Sequence, residues 1–192
     1  AMTAATSGSN GIAVADNDNI DFGTGNFTIS LKVSVPDWTP SANVVLAQKH
    51  DGSNGWILYL LTTGYFRLTI NSTNYDSTEA VSTSNYTIHS IIVPVKRETA
   101  DFNGAVSFYV DGVQLGSDVT ITAASPTSVN NSSSLYILGT SSASYAGVCY
   151  CFNLIFGALN STFVKELYRN GLSYRDKWGN NVTATYTSDF SV

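Results

Sequence analysis

The segment "NFTISLKVSV" alternates strictly: Phe27, Ile29, Leu31, Val33 and Val35 fall on one side, and Thr28, Ser30, Lys32 and Ser34 on the other. A period of two is the signature of a strand with one buried face. Pro36 and Pro40 close it, because proline brings no N–H to a ladder. "NVVLAQKH", the turn "DGSNG" and "WILYLLTTGYFRLTIN" then predict three antiparallel strands, joined by a loop at 51–55 and a tight turn around Gly64.

"YTIHSIIVPVKR" predicts a long strand in which Pro94 demands an edge or a bulge. "AVSFYVDGVQLGS" is a hairpin signal: Asp111-Gly112 supplies the positive-φ pair of a type I′ turn, with Val106, Phe108 and Val110 on the apolar side. "LYILGT" and the doubly apolar "GVCYCFNLIFG" add two more strands, the second suited to the interior of a sandwich. One short helix is predicted at "STFVKELYRNG", capped by Asn160 or Ser161, with Phe163, Val164 and Leu167 as its apolar stripe and Gly171 past its end. In the polar tail beyond, Trp178 is expected to pack on the body. About ten short strands separated by turn signals point to an all-β jelly-roll sandwich, one domain over 1–192.

Composition fits that pattern and narrows function. Only 12% of the 192 residues are charged while Ser, Thr and Asn abound, as in strands with hydroxyl- and amide-rich outer faces. A net charge of −5, with nine scattered Lys and Arg, argues against nucleic acid as a partner, since phosphate binding needs clustered cations. No apolar stretch is long enough for a spanning helix, and the start "AMTAATSGSNG" has neither the basic nor the apolar region of a secretion signal, so membrane insertion is not expected. The two cysteines, Cys149 and Cys151, would share one face of a regular strand at the far limit of disulfide reach, and are read as two buried thiols acting as small hydrophobes.

The order of "DFGTGNFTISLKV", "LAQKHDGSNGWILYL", "FRLTIN", "VSFYVDGVQLGS", "LYILGT" and "FNLIFGALNSTFVKELYRNG" resembles the laminin G-like, concanavalin A-like lectin and glucanase superfamily over nearly the whole chain. The resemblance implies two curved antiparallel sheets with one short helix near the C-terminus. Its members include lectins, adhesion modules, accessory domains of secreted enzymes, phage tail proteins and some glucanases, and fold alone does not choose among them. Where the family often opens its long central strand with Trp-His-His, this chain reads "YTIHSIIV" and keeps only His89.

Catalysis has little to stand on. Retaining glycoside cleavage needs two carboxyls about 5 to 5.5 Å apart, and the three glutamates, Glu79, Glu98 and Glu166, are far apart in sequence. No Gly-x-Ser-x-Gly elbow accompanies the two histidines, His50 and His89. The run "ADNDNIDF" gathers Asp16, Asp18 and Asp21 as candidate calcium ligands, although Asp and Asn also make turns without any metal. For a sugar, the candidates are His50, Asp51, Asn54 and Trp56 on the loop "KHDGSNGW", with Tyr75 and Tyr145 on polar loops; Trp56 serves the core instead if it starts an inward-facing strand. Seven Asn-x-Ser/Thr sequons occur, at Asn26, Asn71, Asn85, Asn130, Asn131, Asn160 and Asn181, and carry weight only in a glycosylating host.

The expectation is a non-catalytic module that binds a glycan or cell-surface polysaccharide, extracellular, on a cell surface or on a virion such as a phage tail or capsid appendage, within an oligomer or larger assembly. The alternatives are a structural or protein-interaction domain with no small ligand and, third, an enzyme acting on glycosides.

Overall fold

The computed structural model describes residues 11–81 and 85–170 in full, and residues 2–3, 173–175 and 181–183 by backbone alone. In chain order the strands are β1 (Met2–Thr3), β2 (Ile12–Val14), β3 (Phe27–Ser34), β4 (Val44–His50), β5 (Gly55–Leu60), β6 (Phe66–Ile70), β7 (Thr73–Asp76), β8 (Ile88–Lys96), β9 (Gly104–Val106), β10 (Tyr109–Val110), β11 (Val113–Gln114), β12 (Val119–Ile121), β13 (Leu135–Ile137), β14 (Val148–Phe156), β15 (Ser173–Arg175) and β16 (Asn181–Thr183), with one helix, α1 (Ser161–Asn170), between β14 and β15. An eight-stranded sheet runs β1-β14-β3-β8-β10-β11, with β9 also on β8 and β12 on β9; a six-stranded sheet runs β2-β13-β4-β5-β6-β7; β15 and β16 pair with each other. All pairings are antiparallel, and the chain is the two-sheet jelly-roll sandwich that its alternation pattern predicts.

The core lies between the two larger sheets. Phe27, Ile29, Leu31 and Val33 of β3 are fully buried and meet Leu58 and Leu60 of β5 and Phe66 and Leu68 of β6 within one cluster. Each such side chain contributes about 1.5–3 kcal/mol relative to exposure. Trp38, between the two prolines, is also fully buried and stands edge-on to Phe66 and to the ring of His89.

Two predictions about strands change on contact with the structure. Pro94 lies on an interior strand, since β8 has β3 on one side and β10 and β9 on the other. The Pro94 carbonyl accepts from Ser107 N (3.1 Å), so its missing N–H faces the break between β9 and β10, where no ladder partner is forgone. The cysteines part company. The register of β14 against β3 slips at Tyr150: Cys149 opposes Val33 and Cys151 opposes Lys32. That one-residue bulge turns Cys151 outward, so Cys149 is buried and Cys151 exposed.

The hairpin β10–β11 turns through Asp111 (φ 51°) and Gly112 (φ 77°), as type I′ requires. Asp111 also accepts from Ser90 N and from His89 Nδ1, tying the turn to β8. The helix α1 covers the outer side of β8 and β10, burying Val164 against Ile92 and Tyr109 with Leu159 and Leu167 alongside. Asn160 is its cap, its Oδ1 accepting from Thr162 N and Phe163 N. Phe163, predicted on the buried stripe, is 55% exposed instead. Gly171 and Trp178 lie outside the described residues.

Candidate functional site

The loop predicted to hold a sugar is a self-satisfied turn. Asp51 Oδ1 accepts from Ser53 N and Asn54 N, which holds its carboxyl below the usual carboxylate range. His50 Nδ1 accepts from Gly52 N, so Nε2 carries the proton and donates to Asn71 O at 3.0 Å. Asn54 O accepts from Asn131 Nδ2, and Asn71 Oδ1 accepts from Gly55 N. These side chains hold the end of the β4–β5 hairpin to neighbouring loops. Trp56 is in the core at 1% exposure, its β5 position facing inward, and presents no ring to a ligand. Tyr75 is half-buried at the inner edge of β7, opposite Leu68, with its hydroxyl pKa raised by burial. Tyr145 lies just past β13 of the same sheet, partly buried against the core, its hydroxyl donating to Asp37 O at 2.8 Å. The six candidates are therefore not one constellation.

Two of the three candidate calcium ligands are engaged by a cation of the chain itself. Lys49 Nζ lies 2.7 Å from Asp16 Oδ1 and 2.8 Å from Asp21 Oδ1, and also donates to Asn131 O. The Lys49 side chain is only 1% exposed. A calcium ion 2.3–2.6 Å from both carboxylates would press against that ammonium, two cations in one place. Asp18 stands apart, exposed, in the 3-10 turn Asp18–Ile20. The residues present do not fit calcium, and among the described residues no three His, Cys, Asp or Glu side chains are grouped to hold a metal ion. The three glutamates lie on separate elements: Glu79 follows β7, Glu166 is on α1, and Glu98, after β8, is clasped by Arg97, which holds its carboxyl below the usual range against the opposing effect of burial.

The chemistry gathers instead on the outward face of the six-stranded sheet. Because β5 alternates, Trp56, Leu58 and Leu60 face the core while Ile57 and Tyr59 face out. Tyr59 opposes Val45 on one side and Arg67 on the other, and Arg67 opposes Asp76. Arg67 grips Asp76 with both arms of a fork, Nε to Oδ1 at 2.6 Å and Nη2 to Oδ2 at 2.7 Å. That uses two of its five N–H donors. Next to it Thr69 Oγ1 donates to Asn74 Oδ1 at 2.7 Å, leaving the Asn74 amide NH2 as a donor. At the far side of Tyr59, Asn43 Oδ1 accepts from Thr62 N, again leaving an amide NH2.

Asn43, Tyr59, Leu61, Arg67, Thr69 and Asn74 line one hollow of about 270 Å³. A half-buried aromatic with two amides, a hydroxyl and a forked ion pair can cover the C–H face of a sugar ring and address its hydroxyls. Burial raises the Tyr59 hydroxyl pKa and the Arg67 charge partly offsets it, which keeps the phenol a donor at neutral pH. None of these residues was singled out from the sequence. The signal lies in the outward half of the alternation, Tyr59, Arg67 and Thr69 within "WILYLLTTGYFRLTIN", rather than in the polar loops.

The sandwich just described has relatives. The family model of the concanavalin A-like lectin/glucanases superfamily matches residues 6–165. The chain belongs to that superfamily. Membership accounts for the two antiparallel sheets and carries no activity of its own. Comparison with curated proteins finds no match. Among solved structures, the binding domain of Paraclostridial Mosquitocidal Protein 1 is similar at 20% identity and a TM-score of 0.62, over 88% of this chain and 43% of that one. The ligand binding domain of botulinum neurotoxin serotype D, in complex with N-acetylneuraminic acid, aligns at 15% identity and 0.66, over 92% and 44%. A botulinum neurotoxin type C structure, described as entering cells through two ganglioside molecules, aligns at 17% and 0.63, over 91% and 45%. This superfamily member therefore spans less than half of each of those chains, and at such identities the likeness is one of fold.

Proposed function

We propose that this domain is a non-catalytic carbohydrate-binding module that takes its ligand on the outward face of the six-stranded sheet, in the hollow around Tyr59. The observation that carries the reading is the arrangement of Tyr59 beside the Arg67–Asp76 fork, with the Asn43 and Asn74 amides at either hand. The similar structures named as ligand-binding and ganglioside-dependent toxin domains support a glycan as ligand and a place outside the cell, on a secreted protein, a cell surface or a virion. No helix of the described residues is long and apolar enough to cross a membrane. With Lys49 serving Asp16 and Asp21, binding needs no calcium.

A glycan array probed with the wild-type chain, with and without EDTA, tests this. The expected result is retention of a subset of glycans, indifferent to EDTA, lost in Tyr59→Ala and weakened in Arg67→Ala but unchanged in Phe163→Ala on α1. A blank array for the wild type would abandon the reading for a second one, docking of a protein partner. That alternative has its own observation: along β14 beyond Cys149 no described strand covers the outer edge, and Tyr150 and Phe156 are exposed on an uncharged run. A similar botulinum neurotoxin domain was solved with rat synaptotagmin II, a protein partner.

A further inference from the structure

We infer that the ligand is a linear oligosaccharide running across the strands, because the hollow around Tyr59 continues into a second one with an aromatic of its own; this rests on the glycan-binding reading above. The second hollow, about 160 Å³, is lined among others by Asn43, Val44, Val45, Gly139, Ala143 and Tyr145. Asn43 belongs to both hollows. Val45 and Tyr59 are direct cross-strand partners on β4 and β5, so the two hollows adjoin across that pair.

The line from Gly139, just past β13, through Val45, Tyr59 and Arg67 to Asp76 crosses β4, β5 and β6 to reach β7. Four strand spacings of about 4.8 Å make roughly 19 Å, longer than one sugar ring and suited to a short chain of them.

The two ends differ in chemistry. Around Tyr59 the walls are guanidinium, amide and hydroxyl, whereas around Tyr145 they include Val44, Val45 and Ala143. Tyr145 is locked by its hydroxyl bond to Asp37 O, which fixes the ring without spending it on a ligand hydroxyl. A ring held in place stacks on an apolar sugar face at small entropic cost. The unit over Tyr145 is therefore read by its C–H face, and the unit over Tyr59 by its hydroxyls.

The experiment measures affinities by calorimetry for the glycan series that the array retains, taken as monomer, dimer, trimer and tetramer, against wild type, Tyr145→Ala and Ala143→Trp. Ala143 is exposed, so a bulky side chain there plugs the second hollow without entering the core, which keeps the test valid if Tyr145→Ala fails to fold. Wild-type affinity is expected to rise about tenfold between one unit and two or three, the scale of one stacked ring. Both variants should flatten that rise. Equal affinity for monomer and oligomers, or variants that keep the rise, would overturn the extended groove while leaving the Tyr59 hollow standing. A series bound by the wild type and equally by Tyr59→Ala would remove both.

Discussion

Strand β5 carries two aromatics three residues apart, each with a cation opposite it on a neighbouring strand. Trp56 faces inward and opposes Lys49 of β4; Tyr59 faces outward and opposes Arg67 of β6. Both cations hold carboxylates, yet the Lys49 side chain is 1% exposed and Arg67 30%. Inside, the ammonium is committed on all sides, to Asp16, Asp21 and Asn131, and its withdrawal would strand two carboxylates. Outside, water can replace the fork, and the guanidinium keeps donors for something else. The same pairing of residue types is therefore structural on one face of the sheet and available to a ligand on the other, and burial makes the difference.

The comparison breaks most visibly at Trp56. Trp56→Ala is expected to cost about 3–5 kcal/mol in a urea titration, while glycan retention below the unfolding midpoint stays intact; lost binding with unchanged stability would return Trp56 to the ligand site. Lys49→Met comes next, with a loss of about 3 kcal/mol, at the low end for a broken buried pair because Asp16 is one-third exposed. Calcium should not restore it. Arg67→Ala should lower the urea midpoint by under 1 kcal/mol and yet weaken glycan binding about tenfold, the scale of a hydrogen bond to a charged group; a large stability loss would make it a second Lys49.

The smallest effect is a pH slope. The Glu98 carboxyl, clasped by Arg97, is depressed below its ordinary 4.5. Its contribution to stability is complete above that pH and is lost as pH falls through the folded-state value, so Glu98→Gln should lower stability at neutral pH and flatten the acid limb of the stability profile below 4.5.

The strand pattern was legible because it is written locally. Phe27, Ile29, Leu31 and Val33 alternate in sequence and all enter the core, although Thr28 and Ser30 on the other face are covered too and only Lys32 of that face is exposed, and Asp111-Gly112 is a turn because of its own φ preferences. The functional face was not legible, since it is assembled from Asn43, Tyr59, Arg67 and Asn74 on or beside four different strands and exists only once their registers are set. The partner of Asp16 and Asp21 was hidden for the same reason: Lys49 lies about thirty residues on, and nothing in its local sequence announces its burial. Of the sequon asparagines, Asn26, Asn71, Asn131 and Asn160 use their side chains as bonding groups, with Asn26 Oδ1 accepting from Arg97 N and Asn71 Nδ2 donating to Thr127 Oγ1.

The bulge at Tyr150 has a practical side. It leaves the Cys149 thiol sealed, with burial pushing its pKa up to about 11, and sets Cys151 on the outer face of the eight-stranded sheet opposite Lys32. The groove opens on the outer face of the other sheet. A maleimide-bearing bead, sensor chip or fluorophore would therefore couple at one position per molecule and hold the protein by its back, with the groove turned toward solution.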